Sequence, residues 1–94
     1  MNKYEILYIL FADQDDAARE ATIEKFKTIV TAGGGSVENV DKWGVKKLAY
    51  PINYKPEGFY TLMTFSSGPE VPAEIERQMR ISDEVMRFLV IRKD

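Results

Sequence analysis

Trp43-Gly44-Val45-Lys46-Lys47-Leu48-Ala49-Tyr50-Pro51-Ile52 is the stretch that decides the fold of this 94-residue chain, and Gly58-Phe59-Tyr60 follows soon after it. Successive side chains of a strand point to opposite faces, so Lys46 and Lys47 cannot reach the same surface. Proline cannot donate to a strand ladder and is tolerated mainly on an edge strand or at a strand end. The stretch therefore predicts an exposed edge strand with a cation on each face, where a partner can add on.

Apolar alternation predicts further strands on both sides of this stretch, and apolar residues three or four apart predict two helices. The first helix is expected to begin near Asp13 and Asp16 and to end at the triple glycine 33–35. A bulge is expected at Trp43-Gly44, because a glycine inside a strand often marks one. The predicted order is strand Tyr4–Phe11, helix 16–32, strand Ser36–Ile52, loop 53–57, strand Gly58–Ser66, a helix with Pro72 in its first turn that ends near Arg80, and strand Val85–Arg92.

This order predicts an α+β fold, the ferredoxin-like βαββαβ arrangement. Right-handed crossovers place both helices on one face of a four-stranded antiparallel sheet, with the first and third strands in the middle. Met86, Phe88 and Val90 are assigned to one face of the last strand. The sheet face without helices is expected to carry an apolar patch, which usually marks a protein interface, made of Leu7, Ile9, Phe11, Tyr60, Leu62 and Leu89.

Length, composition and charge exclude several classes of function. The length fits a single domain, residues 1–94, and no apolar run approaches the roughly 18 residues that span a bilayer. The chain contains no cysteine and no histidine, so the commonest general base and the commonest metal ligands are missing. We expect no enzymatic activity, no metal, no cofactor and a cytoplasmic location. The net charge of −2 argues against a strong, independent nucleic-acid binder.

Several sites of catalysis or recognition are disfavoured by their context. The triple glycine follows a helix, and Asp13, Asp15 and Asp16 match no calcium loop. The same acidic stretch would repel phosphate where a small hydrolase of the acylphosphatase kind needs an arginine loop. RNA recognition motifs share this topology and stack bases on central-strand aromatics, but Thr61 occupies a position where such an aromatic is expected. Base stacking on the open face is therefore not predicted.

Four basic residues are the candidates for contacts with RNA phosphates: Lys3, Lys55, Arg80 and Arg87. Lys3 begins the first strand, Arg80 closes the second helix and Arg87 lies on the last strand. The topology predicts that Lys3, Arg80 and Arg87 form one cluster. By composition alone, solvated surface charges are the commoner interpretation of such residues.

Three motifs change that interpretation: Lys3-Tyr4-Glu5, the Leu48–Ile52 core of the edge strand, and Arg80-Ile81-Ser82-Asp83-Glu84-Val85. Together they resemble the bacterial small-subunit ribosomal protein S-six family over almost the whole chain. The resemblance implies a structural, ribosome-associated protein that binds small-subunit ribosomal RNA together with ribosomal protein S-eighteen. It favours RNA contact by Arg80 and Arg87. We assign contact with that partner to the edge strand and the open face, through Lys46, Lys47, Leu48, Tyr50, Leu7, Ile9, Tyr60, Leu62 and Leu89.

An alternative of another class stays open. The apolar patch alone would equally support a ferredoxin-like homodimer that binds a small ligand between two open sheet faces. The edge-strand motif and the positions of Arg80 and Arg87 favour the ribosomal interpretation, which expects the isolated protein to be monomeric.

Overall fold

A computed structural model describes residues 1–52 and 55–93. Its elements are β1 (Asn2–Phe11), α1 (Asp16–Ala32), β2 (Ser36–Ile52), β3 (Lys55–Ser67), α2 (Glu70–Arg80) and β4 (Val85–Arg92). The element order is the predicted one, and Pro72 lies in the first turn of α2 as predicted. Strand β3, however, begins before its predicted start at Gly58. Residues 53 and 54 of the predicted loop lie outside the described residues.

The strands form an antiparallel sheet in the order β2-β3-β1-β4. This confirms the ferredoxin-like prediction and the central position of β1 and β3. In the register, Leu7 lies between Leu62 of β3 and Leu89 of β4. Residues of equal parity on β1 and β3 therefore lie on opposite faces, and the odd positions of β1 share a face with the even positions of β3.

The first helix begins because an aspartate caps it. Asp15, rather than the predicted Asp13, has the extended backbone of an N-cap, and its side chain accepts a 2.7 Å hydrogen bond from the Ala18 amide. The helix ends at Gly33, and Gly34 takes the left-handed φ of 83° that a chain reversal requires.

The core lies between the helices and one sheet face. Phe26 meets Tyr8 edge to face at 5.5 Å, and Tyr4 stacks on Phe65 at the same distance. Burial of each such apolar side chain contributes about 1.5–3 kcal/mol. The buried apolar cluster is Tyr4, Ile6, Tyr8, Leu10, Ile23, Phe26, Val30, Met63, Phe65, Val71, Ile75 and Met79.

One face assignment on β4 is wrong. Ile9 pairs with Arg87 and Leu10 with Val85, so Met86 is the extra residue of a bulge. Its sulfur lies 3.4 Å from the position that a Cβ would take on Gly58, beside the Ile9 side chain. The bulge thus turns Met86 toward the open face, whereas Phe88 packs against the core as predicted.

Candidate functional site

The face of the sheet opposite the helices has an apolar centre. Leu7 and Ile9 of β1 lie next to Leu62 and Tyr60 of β3, and Leu89 of β4, opposite Leu7, is 56% exposed. All five residues were predicted for this face. An open groove of about 300 Å³ runs along its β1–β4 side and is lined by Leu7, Ile9, Arg87, Phe88 and Leu89. Phe11, at the end of β1, is half-buried.

The predicted edge strand is β2, and its exposed side chains project to both faces. Lys46 pairs with Gly58 and Lys47 with Glu57 in the register, so the two lysines alternate as predicted. Tyr50 is 81% exposed and Leu48 is half-buried. In the part of the chain that the structure describes, no salt bridge involves Lys46 or Lys47.

Sequence reasoning missed Trp43 as a functional candidate and used it only to place a bulge. Lys42 pairs with Thr61 and Gly44 with Tyr60, so Trp43 is the extra residue of the predicted bulge. Its ring stacks on Tyr60 of the open face, with centroids 6.4 Å apart and planes 9° from parallel. The Lys46 ammonium lies 5.6 Å from the Trp43 ring centroid. The signal available in the sequence was the tryptophan itself, which directly precedes Gly44, the glycine that predicts the bulge.

Three of the four RNA candidates are paired with carboxylates, and two of these three are lysines. The Lys55 ammonium lies 2.8 Å from Asp13 and the Lys3 ammonium 3.3 Å from Glu38. Hydrogen bonding to Lys55 is the main cause that holds the pKa of the Asp13 carboxyl below its ordinary value. The pKa of Glu38 is also lowered, first by its hydrogen bond from the Ser66 hydroxyl and then by Lys3. Any phosphate at either lysine has to compete with these carboxylates.

The two arginine candidates lie on different faces. Arg80 pairs with Glu76 at 3.1 Å, and its guanidinium lies 5.9 Å from the ring centroid of core-facing Phe88. Arg87 is exposed, lies across from Ile9 on the open face and lines the apolar groove. Within residues 1–52 and 55–93, no salt bridge or side-chain hydrogen bond of Arg87 is found.

The expected cluster of Lys3, Arg80 and Arg87 is wrong. Lys3 lies opposite Ser66, at the start of β1, whereas the Phe11 amide at the other end donates to the Glu84 carbonyl in the α2–β4 connection. Arg87 pairs with Ile9, six residues along β1 from Lys3, or about 20 Å away. Antiparallel pairing causes the separation, because it brings the start of β4 to the end of β1.

Among the described residues, no group of three or more His, Cys, Asp or Glu side chains could hold a metal ion. No helix in the same ranges is long and apolar enough to cross a membrane.

The fold and this site together define a ferredoxin-like protein with an exposed apolar sheet face, a surface of the kind that serves as an interface. Residues 3–92 match the family model described as ribosomal protein S6. The chain therefore belongs to the ribosomal protein S6 family.

Individual relatives agree with that assignment. Small ribosomal subunit protein bS6 of Clostridium novyi (strain NT) is 55% identical over 97% of this chain and 96% of that protein. The protein of the same name from Caldanaerobacter subterraneus is 48% identical over 100% of this chain and 99% of its own length. The crystal structure of ribosomal protein S6 from Thermotoga maritima has a TM-score of 0.92 and 28% identity, covering 98% of this chain and 87% of that one.

Proposed function

We propose that this chain is a non-enzymatic structural component of the small ribosomal subunit in the cytoplasm. It binds small-subunit ribosomal RNA together with ribosomal protein S-eighteen. The observation that supports the proposal most strongly is the family match over residues 3–92. The open face adds a physical reason, because an apolar sheet surface of this kind is suited to docking another protein.

Partner docking is proposed on the open face and the adjoining edge. The groove beside Leu7, Ile9 and Leu89 accepts apolar side chains, and β2 is an edge strand with free pairing capacity. Leu48 and Tyr50 extend the open face along β2, and Lys47 lies on the opposite face of the same edge strand. Leu89 is exposed in the free chain, so its burial against a partner would contribute to the binding free energy.

RNA contact is proposed at Lys3, Lys55, Arg80 and Arg87, with Arg87 as the principal contact. Among the described residues Arg87 has no carboxylate to leave, whereas Lys55 must leave Asp13 and Arg80 must leave Glu76. Its place beside the docking groove lets the bound partner and Arg87 present one composite basic surface. Such phosphate contacts position a protein on RNA without reading the sequence.

A salt series tests this proposal. Small-subunit ribosomal RNA is titrated with the chain and saturating S-eighteen at several salt concentrations. Arg87→Ala is expected to lower the affinity and to reduce the slope of log affinity against log salt by about 0.7–0.9. Arg77→Ala is the matched control, because Arg77 is an exposed arginine of α2 bound to Glu74 and lies outside the proposed site. Equal slopes for wild type and both variants would remove Arg87 from the RNA site.

The homodimer alternative makes a different prediction for the isolated protein. Two open faces packed around a ligand would give a stable dimer at low concentration, whereas the ribosomal proposal expects a monomer. Light scattering during gel filtration separates the two.

A further inference from the structure

Three side chains form a compact group at the β2–β3 corner of the open face, here called the aromatic corner: Trp43, Tyr60 and Lys46. The Trp43 indole is nearly parallel to the Tyr60 ring, and the Lys46 ammonium lies within cation–π range of the indole. The corner lies at the outer edge of the sheet, while the groove lined by Leu7, Ile9 and Leu89 lies on the β1–β4 side.

The backbone holds Trp43 in this position. The bulge and the left-handed φ of 89° at Gly44 turn the indole onto the open face. The indole N–H donates a 3.0 Å hydrogen bond to Asp41, which fixes the ring by its edge. Even so, 43% of the Trp43 surface stays exposed, so folding leaves a large aromatic surface uncovered.

An exposed aromatic stack with an available cation beside it has the chemistry of a site for single-stranded nucleic acid. Lys46 supplies that cation, since it lies on the open face and forms no salt bridge within the described ranges, whereas Lys47 alternates with it and projects to the opposite face. We infer that the aromatic corner stacks an unpaired nucleobase of RNA on Trp43 while Lys46 contacts the adjacent phosphate. This inference rests on the proposed role in binding ribosomal RNA.

The inference moves Tyr60 and Lys46 from the partner surface to the RNA surface. Their contacts with Trp43 favour a flat, π-rich group carrying negative charge over a basic protein segment, which Lys46 would repel. The comparison with RNA recognition motifs disfavoured stacking because it considered aromatics of the central strands alone. Here the exposed ring comes from the edge strand β2.

Trp43 is the single tryptophan of the chain, so its fluorescence reports on the corner directly. The probe is a hexa-adenylate oligoribonucleotide at low salt, and an abasic oligomer of equal length and charge is the comparison. Hexa-adenylate is expected to quench the fluorescence and to bind, whereas the abasic oligomer binds more weakly and does not quench. Equal behaviour of the two oligomers, or no binding of hexa-adenylate at millimolar concentration, would overturn the inference.

Variants measured with fluorescein-labelled hexa-adenylate add a second test. Trp43→Ala is expected to weaken binding about 5- to 150-fold, the range for loss of one base–aromatic stack, while Trp43→Phe retains most of the affinity. Tyr50→Ala is the matched control, since it removes an exposed aromatic of the same strand. Lys46→Ala should weaken binding more than Lys47→Ala. Equal losses for Trp43→Ala and Tyr50→Ala would contradict the inference.

The same variants on small-subunit ribosomal RNA with S-eighteen separate this inference from the proposed function. If Trp43→Ala assembles like wild type while Arg87→Ala does not, the ribosomal function stands and the base-stacking site is excluded. If Trp43→Ala loses docking to S-eighteen in the absence of RNA, the corner is a protein surface and the inference fails. If the wild type binds neither the RNA nor S-eighteen, the proposed function itself fails.

Discussion

Lys3 and Lys55 each form an ion pair with a carboxylate. An RNA phosphate has to compete with that carboxylate for the lysine. Lys55 lies 2.8 Å from Asp13, a pair that spans the end of β1 and the start of β3. Lys3 shares Glu38 with the Ser66 hydroxyl. An exposed ion pair of this kind contributes only about 0.2–1 kcal/mol, so a phosphate can displace the carboxylate. The weakly acidic net charge is therefore compatible with RNA binding at selected cations.

Asp13→Asn is expected to release Lys55 and to strengthen RNA binding by up to about fivefold at low salt. Asp15→Asn is the matched control, because it removes the same charge two residues away and asparagine remains a good N-cap. Filter binding or anisotropy with small-subunit ribosomal RNA measures the difference. Equal gains from both variants would show that net charge, rather than release of Lys55, is the cause.

The Asp13 pKa gives an independent measure of the same contact. It is lowered in the folded protein, so the pair stabilises the fold above the ordinary value of 3.8 and this contribution is lost as the pH falls through the lowered pKa. We expect NMR titration to show that RNA binding raises the Asp13 pKa toward its ordinary value, because Lys55 turns to phosphate. An unchanged pKa in the complex would exclude Lys55 from the RNA contact.

Among the elements, strand β2 places Trp43 on the open face through its bulge. Gly44 has a φ of 89°, a conformation that side chains with a Cβ rarely adopt, although the space around it is open. Gly34 is similar, with a φ of 83° and open space, but it lies in the turn after α1. The conformation of Gly44 therefore directs Trp43 onto the open face, whereas that of Gly34 only reverses the chain after α1.

Gly44→Ala and Gly34→Ala are each expected to destabilise the fold by about 1–2 kcal/mol through left-handed strain. Only Gly44→Ala should also change the emission of Trp43 in the folded state, because the bulge directs that indole onto Tyr60. Urea unfolding measures the stability and fluorescence spectra measure the indole environment. Identical spectra for both variants would show that the bulge does not position Trp43.

At the level of elements, alternation in the sequence was sufficient to assign the faces of β1 and β3. Leu7, Ile9, Tyr60 and Leu62 lie where period-2 reasoning placed them. The bulge at Trp43 was predictable from Gly44, but the direction of the indole was not, because it depends on φ at Gly44. Met86 was misassigned for the same kind of reason, since one extra residue reverses the face of its side chain.

For the whole molecule, the open face is an apolar surface that the helices leave uncovered, with Leu89 56% exposed. Leu89→Asp is expected to leave the stability within about 0.5 kcal/mol, because the side chain is exposed, and to impair docking of S-eighteen by placing an unpaired charge in the groove. Leu62 is a less suitable position, since it pairs with Asp41 and a new aspartate there would face a like charge. Pull-down with S-eighteen measures docking.

Ile81→Asp is the control for this substitution. Ile81 is 66% exposed at the end of α2 and lies away from the groove. It should dock S-eighteen like wild type. Equal loss of docking in both variants would show that added negative charge, rather than the groove, causes the effect.

At the same scale, sequence reasoning recovered the βαββαβ topology and misplaced the basic residues. Lys3 and Arg87 were joined in one cluster because the direction of the α2–β4 connection was taken the wrong way along β1. The ion pairs of Lys3 and Lys55 depend on long-range contacts with Glu38 and Asp13, which no local pattern encodes. Family membership follows from the sequence, but the positions of these basic side chains relative to carboxylates and to the open face depend on the packed structure.

Co-sedimentation with small ribosomal subunits tests the central claim most directly. The chain carrying a short terminal tag is expressed in a related bacterium, and lysate is fractionated on a sucrose gradient at mild salt. We expect the tagged chain to migrate with small subunits and with S-eighteen, and to leave them at high salt as phosphate contacts weaken. If instead the chain remains at the top of the gradient, as a free monomer or dimer, while small subunits form normally, the ribosomal account is contradicted.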